Sequence, residues 1–435
     1  MLGAQHTLYG GIVGEEALKI DRSDSTGALL CVANYPANEG YAWSFIEGLY
    51  ARVADRLAAS GVVTFVAYPA IESAPETLAT SQARPVVLDA RLRTGASLWR
   101  TRAFIRRHRV RVVYFTDRAS PSLAYWWLRL VGVRCIILYD HSSGAGRPPR
   151  GLKFALKWLL ARLPGVVPDC VVAVSDYVAE RQRAVNLTPR RRVRRIWNGL
   201  PLPAERASTH MVRESLGVTD DRPLVLCCSR AAPEKGVEYL LRAFDRVLAK
   251  QPPGGARRPV LVYLGDGHYR PTLQALRARL PSSGDIILVG YRPDAQEYIR
   301  TADICVVPSI WQDALPLGVL EPMAFGKPVI ASRVGGIPEM LRDGVDGLLV
   351  PPGEVEPLAD ALGALLSDPS RAARLGQQAR ARVAEHFRPE TQVAALVELV
   401  QTGFGTTLPP SDGEVTAGAD QGSVPSPRQA LGSRS

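Results

Sequence analysis

Residues 308–328 read PSIWQDALPLGVLEPMAFGKP. The apolar run Ile304–Val307 precedes them and another, Val329–Ala331, follows. Two short β-branched runs separated by a loop and a helical stretch describe a strand, a helix starting near Leu317, and a second strand. Working outward, the same rhythm repeats. Leu224–Cys228, Val260–Leu264, Ile286–Val289 and Gly347–Val350 are further strand-like runs on one side of a break at Asn198-Gly199, Pro201 and Pro203. On the other side lie Ala28–Ala33, Val62–Tyr68, Val110–Phe115, Arg134–Tyr139, Val171–Val174 and Arg194–Trp197. Helical periodicity separates most of them, as in Tyr41–Ser60 and Val237–Leu248. Alternating β and α predicts an α/β chain of two tandem doubly wound, Rossmann-like domains, with ligands at the carboxyl ends of the strands and a cleft between the domains.

The expected organisation is a loose stretch over 1–25, a domain over 26–200, a second over 201–388, a crossover helix over 389–403, and a disordered tail over 404–435. The tail is Gly, Ser, Pro and Ala without periodicity. The chain has 435 residues, 46% hydrophobic and 22% charged, which excludes a wholly disordered or fibrous protein. No uncharged apolar run approaches the ~18 residues of a membrane helix, and no signal peptide is evident at the start. Cys31, Cys135, Cys170, Cys227, Cys228 and Cys305 lie in apolar runs without ligand spacing, which reads as reduced core thiols in a cytosolic protein.

Charge divides the chain. Residues 1–200 hold 28 Lys and Arg against 15 Asp and Glu, and residues 201–435 hold 25 against 27. The basic first half implies an anionic partner. Its Arg106–Arg111 and Arg190–Arg195 runs carry no aromatic stacking platform or known motif, so nucleic acid is set aside. Leu152–Leu163 mixes Lys153, Lys157 and Arg162 with Phe154, Leu156, Trp158, Leu159 and Leu160. The pattern fits a helix lying on an anionic membrane surface and equally a helix packed on the sheet.

Two clusters could carry chemistry. Arg230 and Lys235 follow the strand Leu224–Cys228, and such cations can aim at one anion or stand as ordinary loop charges. Lys235 is one of only six lysines among 53 basic residues. In the second cluster, backbone N–H groups at Leu317, Gly318 and Val319 would open a helix and attract phosphate. Glu321, one turn in, could accept from a ribose diol, with Asp313 eight residues before it.

These residues, with Gly265-Asp266-Gly267, Gly335-Gly336-Ile337-Pro338-Glu339 and Asp346–Gly353, occur in an order that resembles the nucleotide-sugar-binding half of family 4 glycosyltransferases of the GT-B fold. The usual signature is a Glu, seven residues, then a Glu, and Asp313 to Glu321 reproduces the spacing with Asp first. Ala173–Asp176 and Ile196–Gly199 extend the likeness into the first half. The resemblance implies retaining, metal-independent transfer of a sugar from a nucleoside-diphosphate sugar, the co-substrate, with no cofactor. The acceptor would be a polysaccharide, lipid-linked or other glycan, and the enzyme cytoplasmic or peripheral on the inner membrane face. Arg230 and Lys235 would hold the diphosphate, Asp313 sugar hydroxyls, Glu321 the ribose, Gly40 would approach the phosphates, and His141 would sit beside the transferred sugar. Four departures stand out: Asp313 is one methylene shorter than Glu, Pro322 threatens to kink the helix carrying Glu321, Glu39 precedes Gly40 where Gly is common, and Ser229 occupies a usual Gly position. The changes at Asp313 and Pro322 motivate an alternative, a non-catalytic sugar-nucleotide-binding or scaffold protein on the same fold.

Overall fold

A computed structural model describes residues 27–37, 41–204, 210–250 and 258–405. Gly40, the stretch 1–25 and the tail beyond Gly405 lie outside the described residues.

The first sheet is built from β1 (Ala28–Val32), β2 (Val63–Tyr68), β3 (Arg84–Val87), β4 (Val110–Thr116), β5 (Cys135–Asp140), β6 (Cys170–Ala173) and β7 (Val193–Arg195). Their order is β3-β2-β1-β4-β5-β6-β7, and every pairing is parallel. Between them run α1 (Tyr41–Ala58), α2 (Gly95–Arg107), α3 (Leu123–Leu130), α4 (Gly151–Leu160) and α5 (Asp176–Ala184). The strands β1, β4, β5 and β6 are buried almost throughout, as fully covered parallel strands must be. The strand β3 carries no continuous apolar run, because it forms the outer edge, where Pro85 is tolerated and both end residues are exposed.

The short α6 (His210–Leu216) leads into the second sheet, which holds β8 (Leu224–Cys228), β9 (Val260–Leu264), β10 (Ile286–Gly290), β11 (Ile304–Val307), β12 (Val329–Ser332) and β13 (Leu348–Val350). The order β10-β9-β8-β11-β12-β13 repeats the logic of the first sheet. Its helices are α7 (Val237–Ala249), α8 (Arg270–Arg279), α9 (Ala295–Thr301), α10 (Leu317–Ala324), α11 (Ile337–Met340), α12 (Val355–Ser367) and α13 (Pro369–His386). The amphipathic α7 buries Val237, Leu240, Leu241, Phe244 and Leu248 against this sheet and α12. Both sheets reverse direction once, β1/β4 in the first and β8/β11 in the second, and the loops leaving those strands are where such folds bind ligands.

The last helix, α14 (Pro389–Phe404), leaves the second sheet and packs on α1, β4 and β5 of the first. Gln392, 1% exposed, accepts from Gly199 N–H at 3.0 Å and donates to the Tyr139 hydroxyl at 2.8 Å. All six cysteines are free, and five are buried. Among the described residues no helix is long and apolar enough to cross a membrane.

Candidate active site

The carboxyl edges of the two sheets face each other. The loop after β5 meets the loop after β11, where Gly144 N–H donates to the Gln312 carbonyl at 2.7 Å. The loop after β6 meets the one after β12, with Ser175 against Gly336. Glu339, from α11, reaches across and accepts from Asp176 N–H at 2.7 Å and Tyr177 N–H at 2.8 Å. A carboxylate of one domain thus caps the positive end of helix α5 in the other. Burial raises the Glu339 pKa, and the two backbone N–H bonds work against that rise.

At the β8/β11 reversal, Lys235 and Asp313 come together from 78 residues apart. Lys235 Nζ lies 2.8 Å from Asp313 Oδ1 and 3.1 Å from Oδ2. The Asp313 side chain is 4% exposed and that of Lys235 21%, so the pair is mostly buried and the lysine is its more exposed member. Two glycines make this possible. Gly236 turns at φ +64°, and a Cβ there would fall 2.0 Å from the Pro308 carbonyl oxygen. Gly335, at φ +54°, lies so close under Asp313 that its Cβ would fall 1.9 Å from the Asp313 oxygen. Gly336 N–H donates to that same oxygen at 2.8 Å. The backbone of Asp313 is therefore clamped from below while its carboxylate holds Lys235.

Arg230 does not converge on Lys235 here. Its side chain is exposed and lies 3.5 Å from Glu234, its own neighbour one turn on. Leu317, Gly318 and Val319 form the first turn of α10, after the extended Pro316. Glu321 is buried in the next turn. The kink expected at Pro322 does not break the helix, which runs from Leu317 to Ala324. The bonds Phe325 N–H to Glu321 and Lys327 N–H to Pro322 are both made. The donor Pro322 lacks would have served the first turn of a short helix.

His141 follows β5 directly. Its backbone N–H donates to Asp117 Oδ1 at 2.7 Å, and its ring lies 4.2 Å from the Tyr139 ring. Nε2 is buried without a hydrogen-bond partner. Burial pushes the imidazole down to about 4, so the ring is neutral at pH 7 and can exchange one hydrogen bond with a ligand. Its loop is the one that meets Gln312, next to Asp313. Behind it Asp140 pairs with Arg181 at 2.7 Å and accepts from Gln182. Desolvation and the nearby Asp140 push Asp117 up to about 7.

Sequence reasoning missed Asp117, Arg181 and Gln392. Glu339 was seen only as part of a motif, and its partner 163 residues away left no local signal. Among the described residues, no three His, Cys, Asp or Glu side chains group as a metal site would need.

Two facing doubly wound domains, with the cleft between their strand ends, define a GT-B architecture. Comparison with known proteins agrees. The model for "Glycosyl transferases group 1" matches residues 210–382, and that for "Glycosyltransferase Family 4" matches 47–202. The chain belongs to glycosyltransferase family 4. It is 30% identical over 315 residues to the GDP-mannose-dependent alpha-(1-6)-phosphatidylinositol monomannoside mannosyltransferase of Mycolicibacterium smegmatis, covering 69% of this chain and 79% of that protein. Among solved structures, a glycosyltransferase from Rickettsia africae superposes with a TM-score of 0.73 at 19% identity, over 88% of this chain and 99% of that one. Anabaena HepE in complex with UDP-glucose gives 0.69 at 19% identity, over 86% and 100%.

Proposed function

We propose that this glycosyltransferase moves a sugar from a nucleoside-diphosphate sugar to a polysaccharide, lipid-linked or other glycan acceptor, retaining the anomeric configuration and using neither metal nor cofactor. The observation that carries the reading is the Lys235–Asp313 pair at the β8/β11 reversal, where folds of this kind bind ligands. The bond from the anomeric carbon to the diphosphate breaks, and a bond to the acceptor hydroxyl oxygen forms. The hydroxyl proton leaves with the diphosphate.

Lys235 and Arg230 neutralise the departing diphosphate, as a metal would elsewhere. The exposed Arg230 is free to swing from Glu234 to a stronger anion. The first turn of α10, Leu317 to Val319, offers N–H groups to the donor, Glu321 takes the ribose diol, and Gly40 approaches the phosphates. Asp313 contacts sugar hydroxyls, and the partnerless Nε2 of His141 takes one more.

The test is thermal stabilisation by UDP, GDP and ADP with chelator present, on the wild type and Lys235→Ala. A shift with one nucleotide, lost in the variant, supports the reading and names the donor base. No shift with any of them overturns it.

The same reading extends to a cytoplasmic enzyme that meets the inner membrane face through α4. That helix buries none of its residues. Leu152, Phe154, Leu156, Trp158 and Leu159 are all exposed beside Lys153. This favours a surface helix over one packed on the sheet. Sedimentation with anionic vesicles checks it, and no binding at low salt refutes it.

A further inference from the structure

Ile310 and Trp311 stand side by side in the loop after β11, 37% and 49% exposed. Large apolar side chains left in water at a strand end call for a reason, because such loops are where these folds take their ligands. The backbone beneath them is fixed. Ile310 N–H donates to the Glu234 carbonyl at 3.0 Å, and the buried Ser309 hydroxyl donates to the same carbonyl at 3.2 Å. Asp313 N–H donates to the Trp311 carbonyl at 2.9 Å. Trp311 is thereby tied on both sides to the segments that carry Lys235 and Asp313.

The indole reaches the other domain. A Cβ on Gly144, in the loop after β5, would fall 3.0 Å from Trp311 Cζ2 and 3.4 Å from both Cε2 and Nε1. Those atoms form one edge of the ring, so the indole is seated by that edge on the bare backbone of Gly144. Gly144 holds φ +101°, where an L side chain is strained, and even a methyl group would press on the ring. Its N–H donates to the Gln312 carbonyl at 2.7 Å and its carbonyl accepts from Arg181 Nη1 at 3.1 Å. Arg181 is itself paired with Asp140, which braces the seat from behind.

An indole held by its edge leaves its faces for a ligand. Gln312 Oε1 accepts from Gly335 N–H at 2.7 Å, which fixes the amide and leaves Nε2 on its other side. Among the described residues nothing accepts from Gln312 Nε2 or from Trp311 Nε1. A flat apolar surface beside unspent N–H donors suits a ligand that has both a C–H face and hydroxyl oxygens. A pyranose ring is such a ligand. Its axial C–H bonds, slightly positive, meet the negative face of the indole, and its hydroxyls meet the donors. We propose that Trp311 is a stacking platform for a pyranose ring of the acceptor, with Gly144 as its seat and Gln312 Nε2 as a hydroxyl partner. The platform rests on the proposed function. Lys235 and Asp313 pair within the second domain, which holds the donor, whereas Trp311 bridges to the first-domain loop that also carries His141. It names the acceptor as a molecule that presents a sugar ring at this point, not an open-chain alcohol.

The experiment is saturation-transfer difference NMR on the full chain with the methyl α-pyranosides of glucose, mannose and galactose, and with glycerol as an alcohol that has no ring. The proteins are the wild type, Trp311→Ala, Trp311→Phe and Gly144→Ala. In the wild type at least one pyranoside should receive saturation, concentrated on the C–H protons of one ring face, and glycerol should receive none. Trp311→Ala should weaken that pyranoside about tenfold, and Trp311→Phe should recover part of the loss. Gly144→Ala, which pushes the ring off its seat, should behave like Trp311→Ala. No pyranoside signal in the wild type, equal signals in the wild type and Trp311→Ala, or glycerol saturated as strongly as the pyranosides overturns the proposal. Thermal stabilisation by UDP, GDP and ADP on the same proteins reads the donor site and controls for folding. A nucleotide shift without a Trp311-dependent pyranoside signal overturns the platform and leaves the donor reading standing. A Trp311-dependent pyranoside signal without a nucleotide shift supports the platform and counts against the donor reading.

Discussion

Replacing Lys235 by Met keeps most of the side-chain volume and removes the charge. Asp313, with a side chain 4% exposed, then loses both contacts to Nζ, at 2.8 and 3.1 Å. Removing one partner of a buried pair costs about 3–5 kcal/mol, because the other charge stays buried. The Lys235 side chain is 21% exposed, so water can reach the site when it is replaced. We therefore expect the lower end, about 3 kcal/mol for Lys235→Met. Asp313→Asn should cost only about 1 kcal/mol, since the lysine can turn its head into the cleft water. The double variant leaves no buried charge and should cost about 2 kcal/mol, less than Lys235→Met alone. Equilibrium urea unfolding of the four proteins, followed by tryptophan fluorescence, measures the cycle, with Trp311 two residues from Asp313 as a local reporter. Single-variant costs that add to the double within about 0.5 kcal/mol would refute the coupling. Saturating the correct nucleotide at 100 times its dissociation constant should add about 2.7 kcal/mol to the wild type and nothing to Lys235→Met.

Gly336→Ala places a Cβ 2.0 Å from the Ala314 carbonyl oxygen, so the Asp313 loop must shift. Urea unfolding should report a loss of about 2 kcal/mol, and kcat/KM should fall with it. His141 is held neutral to about pH 4 by burial, whereas the unfolded chain takes up its proton near 6.5. Stability is therefore full above pH 6.5 and falls by up to about 3 kcal/mol as pH drops to 4. The difference between the stability–pH curves of the wild type and His141→Gln isolates this, and superimposable curves would exclude it. Glu339→Gln keeps the shape of the interdomain cap but loses its charge at the α5 N-terminus, for about 1 kcal/mol. Stability that is unchanged in this variant would mean the cap does not hold the two domains together. Leu152→Ser with Trp158→Ser, both at exposed positions, should leave urea stability within about 0.5 kcal/mol. It should also remove most vesicle sedimentation, and retained sedimentation would rule out α4 as the contact.

The parallel strands were legible because each is a short apolar run between turns. Leu224–Cys228, Val260–Leu264 and Ile304–Val307 end where their composition changes. The strand β3 was not, since an edge strand with exposed arginine and proline has no apolar signature. The start of α10 at Leu317 followed from the loop before it. That α4 stands free of the sheet could not be read, because an amphipathic stripe is the same whether its apolar side meets protein or solvent. Spacing brought Asp313 and Glu321 to attention. It gave no hint that Asp313 would be tied to Lys235, because the tie depends on β8 and β11 being neighbours in the sheet. Arg230 was read either as aiming with Lys235 at one anion or as an ordinary loop cation, and its resting contact with Glu234, 3.5 Å away, had no signal in the spacing of the two cations.

The return of α14 also bears on how the chain is made. Val393, Leu396, Leu399 and Val400 belong to the same core cluster as the β1 and β4 strands, and Gly403 sits against Cys135 of β5. The first domain therefore waits for the last helix. A ribosome must deliver all of the second domain before the earliest strands gain their full cover. Until then the faces of β4 and β5 that await α14 stay open to water or to a chaperone. A stop codon near 388 would leave the whole second sheet present and yet strip the basic half of its lining.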